Sequence, residues 1–196
     1  VQPTCGLLTP EGILGCYDDP RYFADPGRFR VACLWVGHGY LEYVLPNYLN
    51  ALQSLKELSI QMEICSEAPG YAESWPSDIH FSLNGRLMGV WTSPGDFGGK
   101  PGLLSPDWYR DKPSSQYGQL KVLTVDGRGT FLDGLRLSDD PVAAYGLTPG
   151  KPMRLRIESP EDAPNPRGFT LFGKGFGNYD QNITVTLTAE NANSKE

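Results

Sequence analysis

Carboxylates and large aromatic side chains crowd into three stretches of this chain. "SEAPGYAESWPSDI" (66–79) holds Glu67, Trp75 and Asp78, "RLMGVWTSPGDFGG" (86–99) holds Trp91 and Asp96, and "SPDWYRDKPSSQYGQ" (105–119) holds Trp108, Gln116 and Tyr117. An indole is a platform for the apolar face of a small ring, and a carboxylate beside it accepts hydroxyls through charge-assisted hydrogen bonds. A few such polar groups among aromatics is the composition of a small-ligand pocket. Catalytic chemistry is less well supplied. The pairs Glu67 with Asp78 and Asp96 with Asp107 suit glycoside hydrolysis only if they flank a sugar at about 5 to 10 Å, and acidic loop residues pair often by coincidence. There is no G-x-S-x-G elbow, and the two histidines, His38 and His80, fall in ordinary turn and strand positions. Gly173, Gly175 and Gly177 form a G-x-G-x-G that follows a strand but opens no helix, which fails the context of a dinucleotide loop. Binding, rather than an enzyme's turnover, is the expectation, with no cofactor.

The composition narrows the partners. Glycine (23) and proline (17) together make about a fifth of the 196 residues, turn-rich without low complexity. A net charge of −6 argues against binding a phosphate backbone, which rests on clustered Lys and Arg. Cys5, Cys16, Cys33 and Cys65 show no C-x-x-C and no zinc spacing with two histidines, so no metal is expected. Two disulfides are arithmetically open. Cys33 and Cys65 lie inside apolar strand patterns, where buried free thiols are commoner, and this favours a reducing, cytoplasmic setting. No run of 18 apolar residues occurs, so no membrane span is expected.

The positioning elements read as strands. "DIHFSL" and "RLMGVWT" are joined by Asn84-Gly85, the two-residue hairpin signal. Its simplest register sets Phe81 opposite Met88 and Ile79 opposite Val90 as the core face, and Asp78 beside Trp91 on the other. Trp91 then either packs beneath the long loop that follows or lines a pocket, and residues 93–119 either merely close the end of the domain or cap a ligand. "FRVACLWV" and "GYLEYVLP" flank Gly37-His38-Gly39 as a second hairpin. "NYLNALQSLKEL" (47–58), with Leu49, Leu52 and Leu55 and Asn47 as N-cap, is the one short helix predicted. About nine strands in total predict a two-sheet antiparallel β-sandwich of jelly-roll type. It forms one ligand-sensing domain over 1–189, with 1–30 an irregular wrap and 190–196 a flexible tail.

Taken together, "PTCGLLTPEGILGCYDDPRYFADPGRF", "GYLEYVLPNYL", "CSEAPGYAESWPSDIHFSLNGRLMGVWTSPGDFGG", "SPDWYRDKPSSQYGQLKVLTVDGRGTFLDGLRLSD" and "GFTLFGKGFGNYDQNITVTL" resemble the C-terminal effector domain of a group of bacterial ArsR-like transcriptional regulators. The likeness runs from about Thr4 to Leu187. In those proteins a winged helix precedes a β-sandwich sensor. The resemblance therefore implies that this chain is the sensor alone, with the DNA-binding domain absent, which a first residue of Val rather than Met fits. It also implies a fold close to galactose-binding-like jelly rolls, hence a small polar ligand such as a sugar. No arsenic site carries over, because no thiolate cluster is present.

The expected function is ligand sensing by the effector domain of a regulator, as monomer or homodimer, through Glu67, Trp75, Asp78, Trp91, Asp96, Trp108, Gln116 and Tyr117. The rivals are a carbohydrate-binding module of a secreted protein, with its cysteines in disulfides, and a small glycoside hydrolase. DNA would be met only through the separate N-terminal domain. The isolated chain should accordingly give no salt-sensitive, submicromolar gel shift with duplex DNA at physiological salt.

Overall fold

Alternation of apolar and polar residues dominates the chain, and the computed structural model, which describes residues 1–191, is nearly all antiparallel β. Its strands are β1 (Gln2–Thr9), β2 (Gly12–Ile13), β3 (Cys33–Leu45), β4 (Gln53–Cys65), β5 (Ser77–Leu83), β6 (Arg86–Ser93), β7 (Gln119–Val125), β8 (Thr130–Leu132), β9 (Leu135–Ser138), β10 (Met153–Ser159), β11 (Phe169–Phe172) and β12 (Thr184–Asn191). One four-residue helix, α1 (Asp107–Arg110), lies in the long loop between β6 and β7.

The first 33–36 stretch of β3 lies between β1 and β11, and its 39–45 stretch pairs with β10. β3 thus belongs to both halves of a folded-over sheet whose order is β6-β5-β10-β3-β11-β4-β7-β8-β9, with β12 added along β4. The two ends of that order approach each other: a methyl group placed on Gly89 of β6 would lie 2.6 Å from Leu137 of β9. The result is a nearly closed sandwich. Its interior is filled by Ile60, Met62 and Ile64 of β4, Ile79, Phe81 and Leu83 of β5, Leu155 and Ile157 of β10, and Phe169 of β11, all essentially inaccessible.

Four local expectations are corrected, each by a definite physical cause. Gly37-His38-Gly39 is no turn, since β3 runs straight through it. At Gly37 a Cβ would sit 2.5 Å from the Thr4 backbone nitrogen, so the glycine admits the crossing β1 rather than reversing the chain. Residues 47–58 are not helical: 53–65 is strand β4, and the Asn47 carboxamide instead caps a turn by accepting from Leu49 N and donating to Thr148 O. Of the leucines whose spacing suggested the helix, Leu49 and Leu52 lie before the strand and only Leu55 is in β4, where a bulge sets Glu57 opposite Thr188 and Leu55 opposite the adjacent Ala189, leaving Lys56 as the extra residue. Residues 2–9 of the expected wrap form β1, with Cys5, Leu7 and Leu8 buried; its Pro3 and Gly6 are tolerated because it borders the sheet. Finally, the tail expected from residue 190 is still strand at Glu190 and Asn191, which pair with Ser54 and Gln53; 192–196 lie outside the described residues.

A fifth correction, to the register of the Asn84-Gly85 hairpin, matters most for the site. Asn84 and Gly85 take φ of 50° and 80°, as the turn requires, and Leu83 pairs with Arg86. A bulge then shifts the ladder, so that Phe81 faces Gly89, Ile79 faces Trp91 and Asp78 faces Thr92. Met88 is the extra residue and stays fully buried, Trp91 turns toward the main core, and Val90 turns out, 39% exposed. Truncating Phe81 to Ala should therefore cost about 3–5 kcal/mol in urea unfolding. Val90→Ala should fall within about 0.5 kcal/mol of the parent, as for surface positions; a large Val90 effect would restore the unbulged register.

Candidate functional site

Strand alternation gives the sheet of β1, β3, β11 and β4 a second, outward face. Register places Trp35, Thr170 and Cys65 in one row across β3, β11 and β4, and Cys33, Phe172 and Glu63 in the next. This face is not open to water. The β6–β7 loop folds over it and inserts Tyr109 from α1, which with Leu8, Ala32, Cys33, Cys65, Phe172 and Phe176 forms a second apolar cluster. Trp108 lies edge-on to Tyr109 and Phe176, and its indole N–H donates to Pro10 O at 2.8 Å.

The loop is held down from inside. Asp96, fully buried, accepts from Ala68 N at 2.9 Å and from Ser115 Oγ at 2.8 Å on one oxygen. The Gln116 amide donates to Tyr109 O and Lys112 O, the Tyr109 hydroxyl donates to Ser115 O, and Tyr117 stacks on Phe97 with ring centres 5.5 Å apart. These bonds satisfy polar groups that would otherwise be costly to bury.

Beside this lid a cleft of about 240 Å³ remains, lined by Thr4, Tyr17, Asp18, Trp35, Glu67, Ala68, Pro69, Gly70, Tyr109, Ser114 and Ser115. Tyr17 and Trp35 form an aromatic corner, centroids 5.5 Å apart and planes inclined by 44°. Glu67, just past the end of β4, is 8% exposed. Its Oε1 accepts from the Thr4 hydroxyl at 3.0 Å and its Oε2 from the Thr170 hydroxyl at 2.9 Å. Its backbone is fixed as well: the carbonyl accepts the Trp75 indole N–H, and the N–H donates to Arg167 O.

Of the sequence-predicted residues, the structure gathers Glu67, Asp96, Trp108, Gln116 and Tyr117 in the lid and beneath it. Only Glu67 lines the cleft; Asp96 stands behind Ala68 and Ser115. Trp75 braces Glu67 from outside and has the Arg167 guanidinium over its ring at 4.2 Å. Asp78 and Trp91 do not meet. Asp78 accepts from Thr92 Oγ1, Asn165 N and Asn165 Nδ2, tying the loop after β10 to β5. Trp91 packs toward the main core with Lys121 Nζ 4.6 Å from its ring centre. Trp35, Tyr17, Thr4, Asp18 and Thr170 were not singled out from the sequence. The alternation Cys33-Leu34-Trp35-Val36 could have flagged Trp35 as sharing a face with Cys33.

Burial, reinforced by the Asp96 charge, pushes the Glu67 carboxyl up to about 8, against the hydroxyl bonds from Thr170 and Thr4. Burial likewise raises Asp96 to about 7, opposed by Ser115, Ala68 and Cys65. For Asp78, burial also pulls upward, but the bonds from Thr92 and Asn165 win and hold it below the ordinary carboxylate value. Near neutral pH the two acids behind and in the cleft thus hold protons that Asp78 does not. Among the described residues all four cysteines are free, and burial drives the Cys33 and Cys65 thiols well upward, so neither is a poised nucleophile. No described helix is long and apolar enough to cross a membrane, and no group of three or more His, Cys, Asp and Glu suited to a metal ion occurs among the described residues.

No protein-family model matches this chain, and the search of curated proteins finds no match either.

The raised acids predict a direction for stability. A carboxyl whose folded value lies above its unfolded one binds more protons when folded, so its contribution is intact below about pH 4.5 and is lost as pH rises through about 7 to 8. The melting temperature should fall between pH 6 and pH 9. The double variant Glu67→Gln, Asp96→Asn should flatten that slope; an unchanged slope in thermal unfolding would show that other groups set it.

Proposed function

We propose that this chain is a ligand-sensing domain that takes a small polar molecule into the Glu67 cleft, as the effector part of a bacterial ArsR-like regulator. The observation that carries the binding part is the pairing of an aromatic corner, Tyr17 and Trp35, with one buried carboxylate that lines the same cleft. The regulatory part rests on the resemblance of the sequence. A ligand would act by favouring one arrangement of this domain relative to a DNA-binding partner, which requires different affinities for the two arrangements.

Binding is favoured over hydrolysis by the disposition of the acids. Glycoside hydrolysis needs two carboxyl groups facing one substrate. Neither pair suggested by the sequence does this: Asp78 is tied to Thr92 and Asn165 away from the cleft that Glu67 lines, and Asp96 has no accessible surface and spends one oxygen on Ala68 and Ser115; the second acid on the cleft, Asp18, is engaged by the Cys5 N–H. Free thiols are also what a regulator in a reducing compartment would carry, whereas the secreted-module reading relies on disulfides.

A thermal-shift screen of polar metabolites, run on the parent chain with Trp35→Ala and Asp78→Asn beside it, tests this reading. Hits should lose at least about tenfold in affinity, about 1.4 kcal/mol, in Trp35→Ala and keep their affinity in Asp78→Asn. A ligand indifferent to Trp35→Ala would place the binding site elsewhere.

A further inference from the structure

Charge is distributed around this cleft unlike anywhere else in the molecule. Asp18 and Glu67 line it, and no Lys, Arg or His does. Neither acid takes part in an ion pair among the described residues; Asp18 accepts from the Cys5 N–H at 2.9 Å, and Glu67 has only two hydroxyl donors. The other deeply buried carboxylates are all bound by backbone N–H groups: Glu63 by Gly118, Asn178 and Tyr179, Asp78 by Asn165, Asp96 by Ala68. Glu67 receives no backbone donor on its carboxylate, and each oxygen of a carboxylate can accept more than one hydrogen bond.

The aromatics repeat the contrast. Trp75 has Arg167 over its ring, Trp91 has Lys121 and Tyr40 has Arg156 at 3.8 Å. Trp35 and Tyr17, the two rings that form the cleft's corner, like Trp108 in the lid, have no such cation over them among the described residues. A cation over an aromatic face, beside a buried carboxylate, is favourable on both counts. An anionic ligand would instead be set against the Asp18 carboxylate and would oppose ionisation of Glu67.

We propose that the ligand of this cleft carries a cationic nitrogen, an ammonium group directed at Glu67, joined to a compact ring or aliphatic body that lies against Trp35. The inference rests on the cleft being the binding site and adds the class of ligand: a small amine or amino sugar rather than a neutral sugar, a carboxylic acid or a phosphate ester. The cleft, at about 240 Å³, is smaller than the roughly 300–1,000 Å³ of pockets for drug-sized ligands, which fits a body of one ring.

The groups that act on Glu67 sharpen the expectation. Asp18 from the segment after β2 and Asp96 from the lid are acidic, Thr4 and Thr170 are neutral, and the nearby Cys5, Cys33, Cys65 and Tyr109 are uncharged at neutral pH; none of the groups that act on Glu67 is a cation, and the terminal ammonium of Val1 acts on Cys5. An arriving ammonium ion favours the ionised carboxylate, so binding of an alkylamine such as phenethylamine, which keeps its own proton across this range, releases a proton and strengthens as pH rises from 6 toward 8.5.

Calorimetric titration with glucosamine against glucose, and with phenethylamine against phenethyl alcohol, tests the proposal on the full chain, with Glu67→Gln, Asp18→Asn and Trp35→Ala as variants. Asp18→Asn keeps an oxygen for the Cys5 N–H, so it removes the charge without the bond, should Glu67→Gln fail to fold. At least one amine should bind at least tenfold more tightly than its neutral counterpart. That preference should collapse in Glu67→Gln and shrink in Asp18→Asn, and the parent's affinity for phenethylamine should rise between pH 6 and pH 8.5 with proton release. Neutral counterparts binding as well as the amines, or neither amine binding, would overturn the cationic ligand. If such neutral binding is lost in Trp35→Ala, the cleft stands and only the ligand class falls; if binding ignores Trp35→Ala, the cleft itself is the wrong site.

Discussion

The carboxylate of Glu63 is the point on which the covered face of the sheet depends. It sits in mid-strand on β4, 1% exposed, and accepts from three backbone N–H groups at 2.9–3.0 Å: Gly118 at the end of the lid, and Asn178 and Tyr179 in the loop after β11. Burial raises this group above the ordinary glutamate value in spite of those bonds. The three donors need an acceptor as much as the acid needs donors, because unpaired buried N–H groups cost about 1–3 kcal/mol each. One side chain thereby anchors both straps that roof the second apolar cluster. Without the straps, Phe172, Cys33 and Cys65 would face water, and the cleft would lose its wall at Tyr109, Ser114 and Ser115.

Much of the framework was legible in the sequence because two-residue alternation is a direct imprint of a half-buried strand. Asn84-Gly85 fixed its turn for a purely local reason, the positive φ of both residues. Two kinds of misreading stand out, spacing that runs across an element boundary and a residue added within a strand. Leu49, Leu52 and Leu55 mimic a helical period although the first two precede β4 and the third lies in it, and the bulge at Met88 moved Trp91 from the outward face to the inward one. Bulges leave no local signature in composition; they are stabilised by what the rest of the strand packs against. The glycines at 37 and 39 look like a turn until the crossing of β1 is known, and that contact joins residues more than thirty positions apart.

The site was legible in part, and for a physical reason. A loop of 25 residues between β6 and β7, rich in both acids and aromatics, has to bury much of that surface, and Asp96 and Gln116 are indeed enclosed there, with Glu67 beneath. What residue types could not show was the division of labour among the acids. Asp78 and Asp96 resemble ligand-binding carboxylates in sequence, yet each is occupied by donors brought from other segments, Thr92 and Asn165 on Asp78 and Ala68 and Ser115 on Asp96. Trp35 escaped notice because it stands in a strand, where an indole reads as core, and Thr170 because a threonine in "GFTLFG" reads as ordinary strand propensity.

Glu67 differs from Glu63, Asp78 and Asp96 in what it connects. Its two oxygens bridge β1, through Thr4, and β11, through Thr170, while its carbonyl holds Trp75 in the next loop and its N–H holds Arg167 before β11. A change in the charge or bonding of this one carboxylate is therefore felt by four segments, two of them flanking β3, the strand shared by both halves of the sheet. Asp96 adds a second route, because its charge acts on Glu67 and its oxygen holds the lid at Ser115. The Glu67 carboxyl therefore sits at the junction of lid, N-terminal strand and shared sheet, where a change at one side chain has the shortest path to the rest of the fold.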